Sequence, residues 1–286
     1  DDPRWRIRPD HVHGKLKPGA TDTVVFAIQR SGGTLDTQTR PIDVELAMDL
    51  LTDRSRFPIP PAGTTLLPGS LVLGEPTEPA VNHALNPGES GGATLAFETL
   101  GLDGGPFTIE CHVQPGSYDS RDGVIGSSAT GFWFRGGRPV FYVNAGGRWT
   151  NVEYPQDAPA LATGRAYHFA GTWDGETASF YLDGQLVDRV AAAGELRLRS
   201  GPFTVGADSR RRGPRNPLNG WVDAVRVSQG VRYTADGFIP DPRPETDGST
   251  LLLLHMDGRQ GDYLFDHSGR AAHVRLRGDA AVVTAE

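Results

Sequence analysis

FTIECHVQP at 107–115, AGTWDG at 170–175, FYLDGQLV at 180–187 and GWVDAVRVSQGVRYT at 220–234 decide the fold. In each, apolar and polar residues alternate over a few positions, the period that sends successive side chains to opposite faces of a β-sheet. Asp174-Gly175 and Asp183-Gly184 punctuate them. Asp-Gly is hairpin chemistry, because glycine accepts the positive φ of a tight turn whose twist matches its strands. Working outward, similar runs lie at 93–97, 123–125, 131–135, 139–144, 203–206 and 250–254, and Gly136-Gly137 joins two of them as a hairpin. This rhythm predicts an all-β antiparallel sandwich enclosing Phe107, Ile109, Phe180, Leu182, Val225, Val227, Leu251 and Leu253. Trp173 and Trp221 are also expected in the core, and brief helical turns are expected only at 158–163 and 234–238.

Composition agrees. Among 286 residues, 37 glycines and 22 prolines are scattered without period, as in a turn-rich β protein. A formal charge of −7 argues against general nucleic-acid binding. No run approaches the roughly 20 apolar residues of a membrane-spanning helix. The single cysteine, Cys111, rules out an intramolecular disulfide, and inside FTIECHVQP it reads as a small buried hydrophobe.

Residues 1–65 differ in character. Strands are expected at 4–8, 23–29 and 43–51, too few for an independent sandwich, so the region reads as a small immunoglobulin-like or incomplete β module. Pro58-Ile59-Pro60-Pro61 then forms a stiff connector, since each ring fixes φ. The second domain is expected over 66–286, with a further strand at 70–73 and a polar connection over 74–92.

Taken in order, the motifs from about residue 66 onward resemble the laminin-G-like jelly rolls of the concanavalin A-like lectin/glucanase superfamily. TLLLLHMDG at 250–258 and DHSG at 266–269 match the form DxxTLLLxHFDG…DSSG common there, with Met256 for Phe and His267 for Ser, whereas Ala166 stands where relatives usually carry Trp. The resemblance implies an antiparallel concanavalin A-like jelly roll, an extracellular or cell-surface setting, and contact with glycans. It also implies a structural calcium ion (Ca2+): Asp223 matches the aspartate of the family's GxIDEVRI strand, Asp257 that of HFDG, and Asp266 opens the DSSG-like turn. Each of the three is equally suited to capping a turn through backbone amides.

Catalytic patterns are missing. No strand carries the Glu-x-Asp-x-x-Glu spacing that would aim paired carboxylates into one cleft, no G-x-S-x-G elbow occurs, and Glu110 reads as part of the fold. Binding signals are better. If Phe132, Phe134, Phe141 and Val143 point inward, alternation puts Trp133 and Tyr142 on the opposite face, and Trp149 extends that surface as a stacking platform for sugars. Arg210, Arg211, Arg212 and Arg215 form the one dense basic run, suited to bidentate contact with sulfate or carboxylate. The reading that results is a noncatalytic carbohydrate-binding or adhesion module of an exported multidomain protein, with glycans and neighbouring domains or proteins as partners. The alternatives are a divergent glycan-cleaving enzyme on the same fold and a purely structural accessory domain.

Overall fold

The computed structural model describes residues 5–8, 27–30, 82–198, 201–210, 213–257 and 259–285. The chain forms two compact units, residues 1–81 and 82–286. In the first, strands Trp5–Arg8 and Ala27–Arg30 pair antiparallel, Ile7 opposite Ile28. The strands expected at 43–51 and 70–73 lie outside the described residues.

The second unit is a jelly-roll sandwich. One sheet runs, in spatial order, Gln185–Ala191, Thr177–Leu182, Tyr167–Trp173, Phe107–Pro115, Gly220–Gln229, His83–Asn86 and Ala281–Thr284, with Thr250–Leu254 also paired to Gly220–Gln229. The other runs Arg259–Gln260, Tyr263–Leu264, Val274–Arg277, Gly92–Ala96, Pro202–Val205, Asp122–Gly126, Thr130–Arg135, Arg138–Ala145 and Arg148–Glu153. Asp208–Arg210 and Gly213–Arg215 form a separate hairpin. The Asp183-Gly184 and Gly136-Gly137 turns fall where the sequence puts them, all four residues at positive φ, between 49° and 78°. That conformation gives a two-residue turn the twist of its flanking strands.

Alternation builds the core. Phe132 packs on Phe141 at 5.2 Å and on Phe169 at 5.7 Å, and Phe169 on Phe180 at 5.6 Å, linking the inner faces of both sheets. Phe107, Ile109, Val225 and Val227 lie in the same cluster. Cys111 is buried there as expected, its thiol pushed up by burial and by the nearby Glu110 and Asp223 charges.

Three core assignments shift. Leu182 is half-buried at the core's edge, and Trp221 is half-buried outside it. In Thr250–Leu254, Leu252 and Leu254 lie opposite Val227 and Val225 and share their inward face, while Leu253 lies opposite Arg226 and is buried away from the main core. A bulge between Val227 and Ser228 lets Leu251 join the core as well.

The one helix among the described residues is a 3₁₀ turn at Phe97–Leu100. Neither 158–163 nor 234–238 is helical, because other parts of the chain take their backbone groups. Leu161 N–H donates to Gly137 O and Tyr118 Oη to Leu161 O, while Phe238 N–H donates to Gly184 O and Arg189 Nη2 to Thr234 O. No helix among the described residues is long and apolar enough to cross a membrane.

Candidate functional site

The outer face of the nine-stranded sheet carries a cleft of about 300 Å³. Its floor follows from alternation. With Phe132, Phe134, Phe141 and Val143 in the core, Trp133, Val140 and Tyr142 form a separate apolar cluster on the far side. The next strand, Arg148–Glu153, places Asn151 opposite Tyr142 and Trp149 opposite Asn144, so Trp149 and Asn151 join the same face. Trp149 and Tyr142 are 5.3 Å apart between ring centres, and Trp149 remains 60% exposed. The three aromatic residues singled out in the sequence line one cleft.

They do not play equal parts. Trp133 is only 7% exposed, and the Arg121 guanidinium lies 4.0 Å over its ring, with Arg135 5.0 Å away. Tyr142 is equally buried, its hydroxyl donating to Ser127 O at 3.0 Å and accepting from Ser127 N–H at 3.1 Å. Trp133 and Tyr142 are therefore the floor, and the open aromatic face belongs to Trp149.

The hairpin Asp208–Arg210/Gly213–Arg215 makes the facing wall, and Asp208 and Ser209 line the cleft. It sits low because Gly123 leaves room: a Cβ there would come within 1.9 Å of Asp208 N. Asp208 is 4% exposed and accepts from Arg121 Nε at 2.6 Å, Arg121 Nη2 at 3.1 Å and Asn216 Nδ2 at 2.9 Å. Nearby Asp122, 1% exposed, has its carboxyl raised to about 6, chiefly by burial and also by Asp119 and Asp208, against a hydrogen bond from Asp119 N–H. Arg215 is exposed opposite Asp208 in the hairpin register, whereas Arg211 and Arg212 lie outside the described residues, as does the side chain of Arg210. Arg121, Asn151, Asp208 and Ser209 escaped the sequence reading. Asn151 shares the parity of Trp149, a signal available only once 148–153 is read as a strand.

The aspartates expected to hold calcium are engaged otherwise. Asp266 is a turn cap: its carboxylate accepts from the N–H groups of Leu253, Ser268 and Ala272 and from Ser268 Oγ, at 2.6–3.0 Å. Asp257 pairs with Arg243 at 2.5 Å and accepts from His83 N–H at 3.3 Å. Asp223 accepts from Ala224 N–H at 2.6 Å and Asn82 Nδ2 at 3.1 Å. Calcium takes six to eight oxygen ligands, and donors aimed at these carboxylates oppose a cation. Among the described residues no group of three or more His, Cys, Asp or Glu side chains is arranged to hold a metal, so these residues do not fit the ion as they stand.

On the other sheet, Glu110 is 2% exposed. It accepts from Arg226 Nε at 2.6 Å and Tyr233 Oη at 2.7 Å, with His168 Nε2 at 3.2 Å. Burial alone would raise its carboxyl, but the hydrogen bonds and charges of His168 and Arg226 prevail and bring it to about 2. Tyr233 stacks on Phe238 at 3.6 Å. The network thus pins the segment after 230 over that sheet's outer face, a structural task for Glu110.

Comparison with known proteins agrees with this architecture. The profile of the concanavalin A-like lectin/glucanases superfamily matches residues 87–236, just over half of the chain. Among solved structures, "a putative carbohydrate binding protein" from Bacteroides ovatus superposes with a TM-score of 0.56 at 19% identity, over 72% of this chain and 60% of that one. Domains LG4-5 of the mouse laminin alpha1 chain give 0.41 at 18% identity, over 57% and 48%. The Ruminococcus gnavus IT-sialidase CBM40 bound to alpha2,3 sialyllactose gives 0.38 at 13%, over 46% and 83%. No curated protein matches the chain by sequence. The chain spans less than two thirds of the Bacteroides protein's length, and at these identities the likeness is one of fold.

Proposed function

Because the chain belongs to the concanavalin A-like lectin/glucanases superfamily, we propose that it is a noncatalytic carbohydrate-binding module of an exported, extracellular or surface-attached multidomain protein, with the cleft beside Trp149 as its glycan site. Trp149 carries this reading: a large indole, 60% exposed, stands at the mouth of a cleft whose remaining wall is polar. A pyranose has one face of C–H groups and a rim of hydroxyls. It needs an apolar plate and nearby groups that donate and accept, and Trp149 with Asn151, Ser209 and Arg121 offers both. The carbohydrate-binding description of the Bacteroides protein supports the same reading.

Cleavage of a glycosidic bond asks for two carboxylates flanking it. The carboxylate that lines this cleft, Asp208, is instead committed to Arg121 and Asn216. A glycan array, run with and without calcium on the wild type and on Trp149→Ala, tests the proposal. Binding that the substitution abolishes supports it; release of reducing ends from any bound polysaccharide would replace it with the enzymatic alternative.

A further inference from the structure

We propose that Asn144 is a ligand-binding residue of the same site, its side-chain carbonyl accepting a hydroxyl of the sugar stacked on Trp149; the inference rests on the glycan reading above. Across the strands Arg138–Ala145 and Arg148–Glu153, Asn144 lies directly opposite Trp149, and Tyr142 directly opposite Asn151. Opposed residues of an antiparallel pair share a face, so the four form a square, with the aromatic rings on one diagonal and the amides on the other. Tyr142 and Trp149 meet across theirs at 5.3 Å between ring centres. On the amide diagonal the Cβ atoms are about 7 Å apart, a span that one pyranose with its rim of hydroxyls covers.

Asn144 is 2% exposed, yet its amide is poorly used. Nδ2 donates to Ser128 O at 3.4 Å, a long bond, and Oδ1 is buried with no hydrogen-bond partner among the described residues. Turning the amide over gives no relief, because it would set Oδ1 against Ser128 O. A buried acceptor left unpaired costs the folded chain its desolvation. Neighbouring groups do not share this fault: Tyr142 Oη donates to and accepts from Ser127, and Ser127 Oγ donates to Thr130 O. The unpaired oxygen thus sits beside the open aromatic plate, where a sugar hydroxyl supplies the missing donor. On that face its neighbours are the chain at 127–130, where Asn144 N–H donates to Ala129 O, and the Trp149 indole. The first is hydrogen-bonded in place, whereas an exposed side chain turns within picoseconds to nanoseconds. Rotation of the indole opens Oδ1 to the ligand. Trp149 then both stacks on the sugar and admits it to the amide, while exposed Asn151 takes a second hydroxyl at the far end of the diagonal.

The test pairs stability with binding. Asn144→Leu keeps the shape of the side chain and deletes the unpaired acceptor; Asn144→Ala deletes it without adding bulk. Both are compared with the wild type and Trp149→Ala by thermal unfolding. Calorimetric titration below each transition then uses cello-, xylo-, manno- and galacto-oligosaccharides, heparin and sialyllactose. We expect Asn144→Leu to melt at or above the wild-type temperature, since it relieves a buried unpaired group. Both variants should bind the sugar whose affinity depends on Trp149 about tenfold or more weakly, the loss for one hydrogen bond left unmade in a closed site. Asn144→Leu melting clearly below the wild type would mark the amide as structural, satisfied by a buried water, and would overturn the proposal. Trp149-dependent binding that neither Asn144 variant weakens would overturn it too and leave the glycan site standing. No binding that depends on Trp149, to any of these probes, would overturn the glycan reading itself, and the role of Asn144 with it.

Discussion

At the scale of single residues, two tryptophans on one face have been given opposite work. Trp133 is 7% exposed and lies against Arg121, whereas Trp149 is 60% exposed. Trp133→Ala is therefore expected to cost about 3 kcal/mol or more of stability, in the range for buried aromatics. Trp149→Ala should shift the denaturation midpoint little while removing binding, so chemical denaturation of the pair checks the division; equal losses of stability would contradict it. Asp266 makes a second residue-level case. Its carboxylate gathers three N–H groups and a hydroxyl, so Asp266→Ala should destabilise the sandwich whether or not calcium is present. Thermal scans after exhaustive chelation and after calcium is restored should coincide for the wild type. A clear upward shift with calcium would show that the ion finds oxygens among Asp223 and Asp257 by displacing Asn82 or Arg243.

Strands and hairpins show what local pattern carries and what it leaves out. Runs with alternation and Gly-containing turns could be read directly: FYLDGQLV at 180–187 falls on the paired strands Thr177–Leu182 and Gln185–Ala191, and FTIECHVQP at 107–115 is one strand from end to end. The inner and outer faces of Thr130–Arg135 and Arg138–Ala145 were readable too, since Phe132, Phe134, Phe141 and Val143 share one face. Four consecutive leucines at 251–254 erase the alternation, and the face had to be set by their partners on the neighbouring strand. His83–Asn86 and Ala281–Thr284 are short, mixed in polarity and defined by pairing with each other, so nothing local announces them. The cleft was half legible for the same reason: its aromatic floor lies on alternating strands, while Arg121 and Asp208 meet across 87 positions. That meeting depends on Gly123. Gly123→Ala would drive a methyl group into the backbone of Asp208. It should lift the hairpin, cost about 1–3 kcal/mol as overpacking does, and lower glycan affinity together with stability. Binding as tight as wild type in this variant would mean the hairpin is no part of the site.

For the molecule as a whole, stability should answer to pH through buried carboxylates shifted in opposite directions, Glu110 downward and Asp223, like Asp122, upward. Glu110 is brought from its ordinary 4.5 to about 2, so its contribution is present above 4.5 and is lost as pH falls toward 2. Asp223 is raised from 3.8 to about 6, mainly by burial, so its contribution is present below 3.8 and is lost as pH rises through 6. Asp223→Asn should thus be more stable than the wild type above pH 6 and lose that advantage below 3.8, provided Asn82 turns its amide to meet the new donor. Glu110→Gln should lose the acid-side dependence, and it should cost about 3–5 kcal/mol near neutrality, where Arg226 is left buried without its partner. Urea denaturation across that pH range measures both differences; variant profiles that stay parallel to the wild type would refute the assignment. The lone thiol offers a different kind of access. Cys111 lies fully buried at the centre of the sandwich and is the only cysteine in the chain, so an alkylating reagent can reach it only when the sheets part. Its rate of modification is a built-in clock for the opening of the core, readable at concentrations where calorimetry fails.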